Sequence, residues 1–497
     1  MVMKRLISLL LACLLVLGMS ACGGGGETTN TPANTTAATQ SKDSGTVAVV
    51  EGETIAQLDN VGEYIGVTGD TQDLKDLPAY THGEGSRKSL KVFENDRYGQ
   101  TVNVLNSTTA ASFINYLKTL EAEGWEQYSN NIIAGTSLFA TYTKDGKSVY
   151  CYYIPVKKSA YIITSPQQNL EAREADNQYE KVCTPLLTQV KLLCQMWQGG
   201  MSYVMRLSDG RFVVVDGGYI EANNEESKRL YALMEQQNVL DKITIAAWIA
   251  THPHSDHLGV MAEFLRNYNA DQVEIQQMIY NFPCDAEILE VEEGTVTDHA
   301  HGGKMQAFLK ALKTSWPDTT ITQCHTGQVY HIADAKIEFL HTYEDFYPTK
   351  LTEHFEDPIN GTTSVFRVEL GGQKIMFYGD ANIDASKDLV KMWGDYLKSD
   401  FMQANHHGLN GGRIQLYEVT DPTIAMVPMC ESYIPQVLNF EQSRWLWNNG
   451  SGNIKELVLS GWEQRVFELP YTTPEGTPYF SAAAKDPWAG LDHYKTN

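Results

Sequence analysis

Apolar positions follow two different rhythms along this chain. Over residues 110–121, Phe113, Leu117 and Leu120 recur at helical spacing with Ile114 beside them, and Gly124 follows as a stop. The runs 138–143, 148–156 and 161–164 read as strands, with Asp145-Gly146 as a hairpin turn between the first two. These elements predict a small α+β domain over residues 54–166, a packing or docking module without a cluster of metal ligands or nucleophiles. Residues 167–180 are polar and charged, fit for a linker or a connecting helix. From 183 to 485 strands and helices alternate twice over, which places this part in the α/β class. Helices are expected at 225–237, 258–268, 302–316 and 384–397; the hairpin from 198 to 216 turns at Ser208-Asp209-Gly210. The run 243–250 is apolar on both faces and belongs in the middle of a layered sheet. Two stretches lack a rhythm. Residues 281–301 read as a substrate loop, in which His299 and His301 are solvated, and the aromatic-rich 342–361 as a long loop lining or capping a site.

The N-terminus has a pattern of its own. Lys4 and Arg5 precede an apolar run over 6–18, too short for a comfortable membrane span, and then Met19-Ser20-Ala21-Cys22. Residues 1–22 thus read as a secretory signal. The small residues before Cys22 resemble the bacterial lipoprotein cleavage box, which implies a lipid on Cys22 and a protein held at the outer face of the cytoplasmic membrane. Residues 23–53, rich in Gly, Thr and Asn, cannot bury a core and read as a flexible tether.

Composition narrows the partners. With 38 basic against 61 acidic residues, the formal charge of −23 disfavours long nucleic acid and leaves room for a small or short anionic substrate at a metal. No obligate protein partner is evident. Besides Cys13 and Cys22, the cysteines are Cys151, Cys183, Cys194, Cys284, Cys324 and Cys430, too widely spaced for a C-x-x-C pair. They are expected to be mostly buried thiols, with any disulfide unassigned.

The chemistry concentrates after the buried strand, in His252-Pro253-His254-Ser255-Asp256-His257. Three histidines and an aspartate within six positions are improbable in a chain with 13 histidines among 497 residues. Pro253 favours an extended loop, which would put His252, His254 and Asp256 on one side and turn His257 away at the start of a helix. Two imidazoles suit one borderline cation, and a carboxylate with a third imidazole suits a neighbouring one.

This H-x-H-x-D-H pattern, the strand ending in Asp216-Gly217-Gly218, Tyr378-Gly379-Asp380 and the late His406-His407-Gly408 stand in one order over about 191–465. Together they resemble the metallo-β-lactamase-fold hydrolases. The look is closest to the nuclease-like domain of DNA-uptake competence channels and related extracellular phosphodiesterases, although that branch has Asp where Met201 stands. The resemblance implies an αββα sandwich preceded by the small α+β domain. It also implies two divalent metal ions, zinc or, where oxygen ligands dominate, manganese. His252, His254, Asp256, His257, Asp380 and His407 would be the ligands, with Asp380 between the metals. The third ligand of the first metal is Asn360 or His354, and Asp216 stands behind a ligand and orients it. A water shared by both metals would be the nucleophile. Asp256 and His406 are the candidate catalytic groups. Neighbours in an extended segment point apart, so His407 is assigned as ligand and His406 to the substrate side; the reverse assignment stays open. Three functions follow as alternatives: a metal-dependent phosphodiesterase, a hydrolase of a lactam, lactone or thioester, and a binding lipoprotein with a vestigial site.

Overall fold

The strand Ile243–Ile249 is buried at every position, and the two directions of its side chains explain the layers. Ile243, Ile245 and Trp248 pack toward helices, with Trp248 edge-on to Phe264, whereas Ala247 and Ile249 join a core between two sheets. A strand with an apolar neighbour on each side has to be apolar throughout. A computed structural model describes residues 67–481, apart from 68, 84–88, 195–198, 221–224, 295–300, 348–350 and 352–356, and scattered positions after 481. The signal and tether segments with Cys22, the histidine His299 and the alternative ligand His354 lie outside the described residues. Among the described residues no helix is long and apolar enough to cross a membrane.

The first sheet runs in the order Thr320–Thr322, Gln277–Ile279, Ile243–Ile249, Phe212–Val215, Tyr203–Arg206, Leu186–Gln189, Arg465–Glu468, with Val273–Ile275 also paired to Ile243–Ile249. The second runs Val329–Ile332, Ala335–His341, Val365–Leu370, Gln373–Phe377, Phe401–Gln403, Ile424–Val427, Glu456–Leu459. Val213, Val215 and Ile249 of the first meet Phe339, Phe366, Phe377 and Met426 of the second in one dry layer. Helices cover the outer faces. Trp316, just past the helix His301–Ser315, donates through Nε1 to Leu265 O of the helix Ser255–Asn267 at 2.9 Å. On the other side Trp393, which ends the helix Ile383–Trp393, donates to Leu340 O at 2.8 Å. The result is the αββα sandwich that the motifs implied.

Ahead of it, six antiparallel strands form a sheet in the order Leu90–Asn95, Gln100–Asn106, Ser159–Pro166, Lys147–Ile154, Ser137–Lys144, Glu126–Ile133. The helix Ala110–Ala122 starts at Thr109, whose hydroxyl accepts from Ser112 N–H at 3.1 Å. Along Lys147–Ile154, Val149, Cys151 and Tyr153 face this helix, while Tyr150, Tyr152 and Ile154 face the sandwich. Both faces of this sheet are therefore covered, and the small domain packs on the large one.

Several expectations change here. The segment 342–361 divides: its end, with Asp357 and Asn360, reaches His254 and His406, as a loop lining a site would, whereas its aromatic start has another use. Tyr343–Phe346 forms a 3-10 turn that receives the small domain: Phe93 stacks on Tyr347 at 3.8 Å and Tyr161 Oη donates to Tyr347 O at 2.9 Å. Its aromatic side chains are an interface between domains. The stretch read as a substrate loop contains the helix Asp285–Gly294, whose apolar signal is short because Ile288 and Val291 are the residues it buries. Of the two readings of 167–180 the linker holds: it is irregular with one 3-10 turn, Glu174–Asp176, and is tied down by buried Glu171, which accepts from Ser129, Thr141 and Gln328. Among the cysteines, Cys194 and Cys430 form a disulfide across a sequence separation of 236 residues, which spacing alone could not assign. Cys151, Cys284 and Cys324 are buried thiols, and Cys183 is a partly exposed one.

Candidate metal centre

The histidine motif, Asp380 and the late histidines all leave the C-terminal ends of strands, and so does Asp216 behind them. Asp216 follows Phe212–Val215, and the histidine motif follows Ile243–Ile249, which pairs in parallel with it. In the other sheet Asp380 follows Gln373–Phe377 and His406-His407 follows the parallel strand Phe401–Gln403. Parallel strands release their loops at a common edge, where open α/β sheets place ligands. Gly379 makes the approach to Asp380: its φ is +50°, and a Cβ there would lie 2.5 Å from Thr363 Cγ2.

The motif is shorter as a loop than its proline implied. His254 is the N-cap of the helix Ser255–Asn267, so Asp256 and His257 sit in the first helical turn. Asp256 does not share an extended side with His252 and His254. It joins the other group, and its carboxylate lies where a helix N-terminus favours negative charge. A second correction concerns the late histidines. His406 and His407 are both left-handed, with φ of 48° and 55°, so they do not alternate as in a strand.

The side chains converge on Asp380 in two groups, His252, His254 and Asp380, and Asp256, His257, Asp380 and His407, the donor atoms of each lying within 4.8 Å of one another. Asp380 Oδ2 is 3.2 Å from His257 Nε2, 3.2 Å from His407 Nε2 and 3.9 Å from His252 Nε2. His407 Nε2 also lies 3.1 Å from Asp256 Oδ2. His406 is set back: its Nε2 is 3.9 Å from Asp380 Oδ2 and 3.1 Å from Asn360 Nδ2. Asn360 is held by the single turn Pro358–Gly361, capped by the Asp357 carboxylate. His301 is placed at the start of a helix, and Met201, where the resemblance would have an Asp, is fully buried.

Behind the donors, each ring is fixed by its other nitrogen. Asp216 is buried and left-handed, with Oδ2 2.7 Å from His257 Nδ1. Its two oxygens also accept from Thr251 N–H and Thr251 Oγ1–H, each at 2.8 Å. The Thr251 hydroxyl, having given its hydrogen to Asp216, can accept from His252 Nδ1 at 3.0 Å. On the far side Pro428 O is 2.7 Å from His407 Nδ1. Nδ1 of three imidazoles is thereby engaged and Nε2 faces the carboxylates, the usual support of a metal-bound histidine. Thr251 and the Pro428 carbonyl carry no sequence signal, one being an ordinary threonine and the other a backbone atom. Asp357, 3.8 Å from His254 Nε2, is likewise legible only in three dimensions.

Electrostatics agree with a cation site. Burial, with His257 and His254 adding to it, holds the His252 imidazole well below its ordinary value, which leaves it neutral as a ligand must be. Burial also opposes charge on His257 and His407, but Asp380 with Asp216 outweighs it at the first and Asp380 with Asp256 at the second; His257 rises well above its usual value and His407 to about 10. Burial raises the Asp380 carboxyl, yet His257, His407 and His406 outweigh it and carry the group well below the carboxylate range. Three acids gathered in one buried place call for positive charge. His252 Nε2, Asp380 Oδ1 and Asn360 Oδ1 are buried without a hydrogen-bond partner. Imidazole nitrogens and carboxylate oxygens are the donors that borderline divalent cations take. The residues therefore fit two such ions, one at His252, His254 and Asp380 and one at Asp256, His257, Asp380 and His407.

The family model described as the metallo-beta-lactamase superfamily matches residues 196–410. No curated protein matches the chain. Similar solved structures include the metallo-beta-lactamase fold protein YhfI from Bacillus subtilis, at 13% identity over 49% of this chain and 85% of that one, TM-score 0.28. CmlA, a diiron beta-hydroxylase from Streptomyces venezuelae, is 12% identical over 53% of this chain and 46% of its own, TM-score 0.28. A metallo-beta-lactamase from Cronobacter sakazakii with a HARLDQ motif is 13% identical over 44% and 79%, TM-score 0.25. Residues 196–410 are thus similar to the metallo-β-lactamase superfamily, and the two-sheet sandwich and the His/Asp groups at the strand ends are in keeping with that match.

Proposed function

We propose that the protein is a binuclear metal-dependent hydrolase of a small anionic phosphodiester, held outside the cytoplasmic membrane by a lipid on Cys22. The observation that carries the reading is the sharing of Asp380 between two donor groups. Zinc, or manganese, bound there would supply Lewis acidity, activating a water and balancing charge on a phosphoryl group. The chain's own residues supply the rest. Asp216 and Thr251 keep the rings of His257 and His252 from turning. His406, with a side chain 17% exposed against 3% for His407, is the imidazole on the open side, where it can hold a proton for the leaving oxygen. The cations would offset the negative charge of the chain for an anionic substrate. A disulfide at Cys194–Cys430 favours an oxidising compartment, in keeping with export.

Hydrolysis of bis-p-nitrophenyl phosphate should disappear on chelation and return with zinc or manganese. Turnover of a lactam, lactone or thioester with no phosphodiesterase activity would move the protein to that substrate class. For the anchor, Cys22→Ala should release the protein from the membrane fraction or leave it unprocessed; an unmodified mature N-terminus in the mass spectrum would dismiss the lipid.

A further inference from the structure

The Cys194–Cys430 disulfide lies beside the second group of donors. Cys430 is buried two residues beyond Pro428, whose carbonyl fixes the His407 ring at 2.7 Å. Met429, between them, forms an antiparallel bridge with Gly199. Gly199 in turn lies flat against the His407 ring: a Cβ on it would sit 3.3 Å from two ring carbons. Two residues further, Met201 N–H donates to Asp256 O at 3.1 Å. Gly199–Met201 thus touches two donors of one group, Asp256 through its backbone and His407 through its ring. Cys194, five residues before Gly199 in the sequence, is joined covalently to Cys430, two residues after Pro428. His252 and His254, of the other group, are held elsewhere: Nδ1 of the first by the Thr251 hydroxyl, while the second is the N-cap of the helix Ser255–Asn267.

We propose that this disulfide is a positioning element for one of the two cation positions, the one at Asp256, His257, Asp380 and His407. It holds the Pro428 carbonyl at Nδ1 and Gly199 against the His407 ring, so that Nε2 stays directed at Asp256 and Asp380. The inference rests on the metal-centre reading. It adds an asymmetry which that reading does not contain: loss of the disulfide weakens one position and spares the other.

The test compares wild type, Cys194→Ser and Cys430→Ser, each as the whole chain, with wild type reduced by a phosphine and desalted. The reduced sample needs no refolding and answers the question even where a serine variant does not fold. Stepwise zinc affinities, measured by competition with a chromogenic chelator, are the readout, with cobalt absorbance as a second one. We expect one dissociation constant to rise on the order of tenfold, as when the support of a ligand is removed, and the other to stay as in wild type. A lower melting temperature with both constants unchanged would make the disulfide a general staple and overturn the proposal. So would an equal weakening of both. A wild-type protein that binds no zinc at all would remove the metal-centre reading itself, a result distinct from either.

Discussion

At the scale of single residues, a donor atom serves a cation only if the rest of its side chain is held, and the two adjacent histidines are held differently. His407 is gripped through Nδ1 by the Pro428 carbonyl and presents Nε2 to two carboxylates. His406 meets Asn360 at 3.1 Å and stands farther from Asp380. His407→Ala should therefore lower metal content together with activity. His406→Ala should keep both metals and lose on the order of a hundredfold in rate, the range for one acid–base group. Metal analysis beside initial rates separates them; metal loss in the His406 variant would exchange the roles. The identity of these residues was legible in the sequence because imidazoles and carboxylates clustered in a few positions have little other use. Their conformation was not. A left-handed pair of non-glycine residues is imposed by what surrounds it, and the expectation of alternating directions had assumed an extended chain.

At the scale of elements, the strong periodic signals matched observed elements and the weak ones did not. The strand Ile243–Ile249 and the helix Ala110–Ala122 have long apolar patterns that tertiary contacts reinforce. The helix Asp285–Gly294 buries too little to leave a stripe, and strands such as Glu126–Ile133, whose residues are mostly half-buried or exposed, carry polar side chains that hide them. Of the stretch 342–361, the end reaches the site through Asp357 and Asn360, but the aromatic start was misread for a different reason: a side chain buried against another domain looks the same in sequence as one lining a site. Tyr161 tests that reassignment. It is 1% exposed, and its hydroxyl donates across the domain boundary to Tyr347 O. Tyr161→Phe leaves that carbonyl without its partner and should cost about 1–2 kcal/mol, read as a lower denaturant midpoint at unchanged slope. An unchanged midpoint would mean that the contact contributes nothing.

At the scale of the whole molecule, two domains and two sheets serve one edge. The small domain covers both faces of its own sheet, one with its helix and one with the sandwich, and braces the sandwich through Tyr343–Phe346 and through Lys157, which pairs with Asp388 at 2.7 Å. Asp388 lies on the helix Ile383–Trp393, just after Asp380. The central claim is that the edge so braced holds two divalent ions on a shared carboxylate. Elemental analysis of the purified, dialysed chain measures it most directly, in wild type and in Asp380→Ala. Close to two zinc or manganese ions per wild-type chain are expected, with loss from both positions in the variant, because Asp380 belongs to both donor groups. A wild-type protein that retains no metal after exposure to excess, or an Asp380→Ala variant that still holds two, would contradict it.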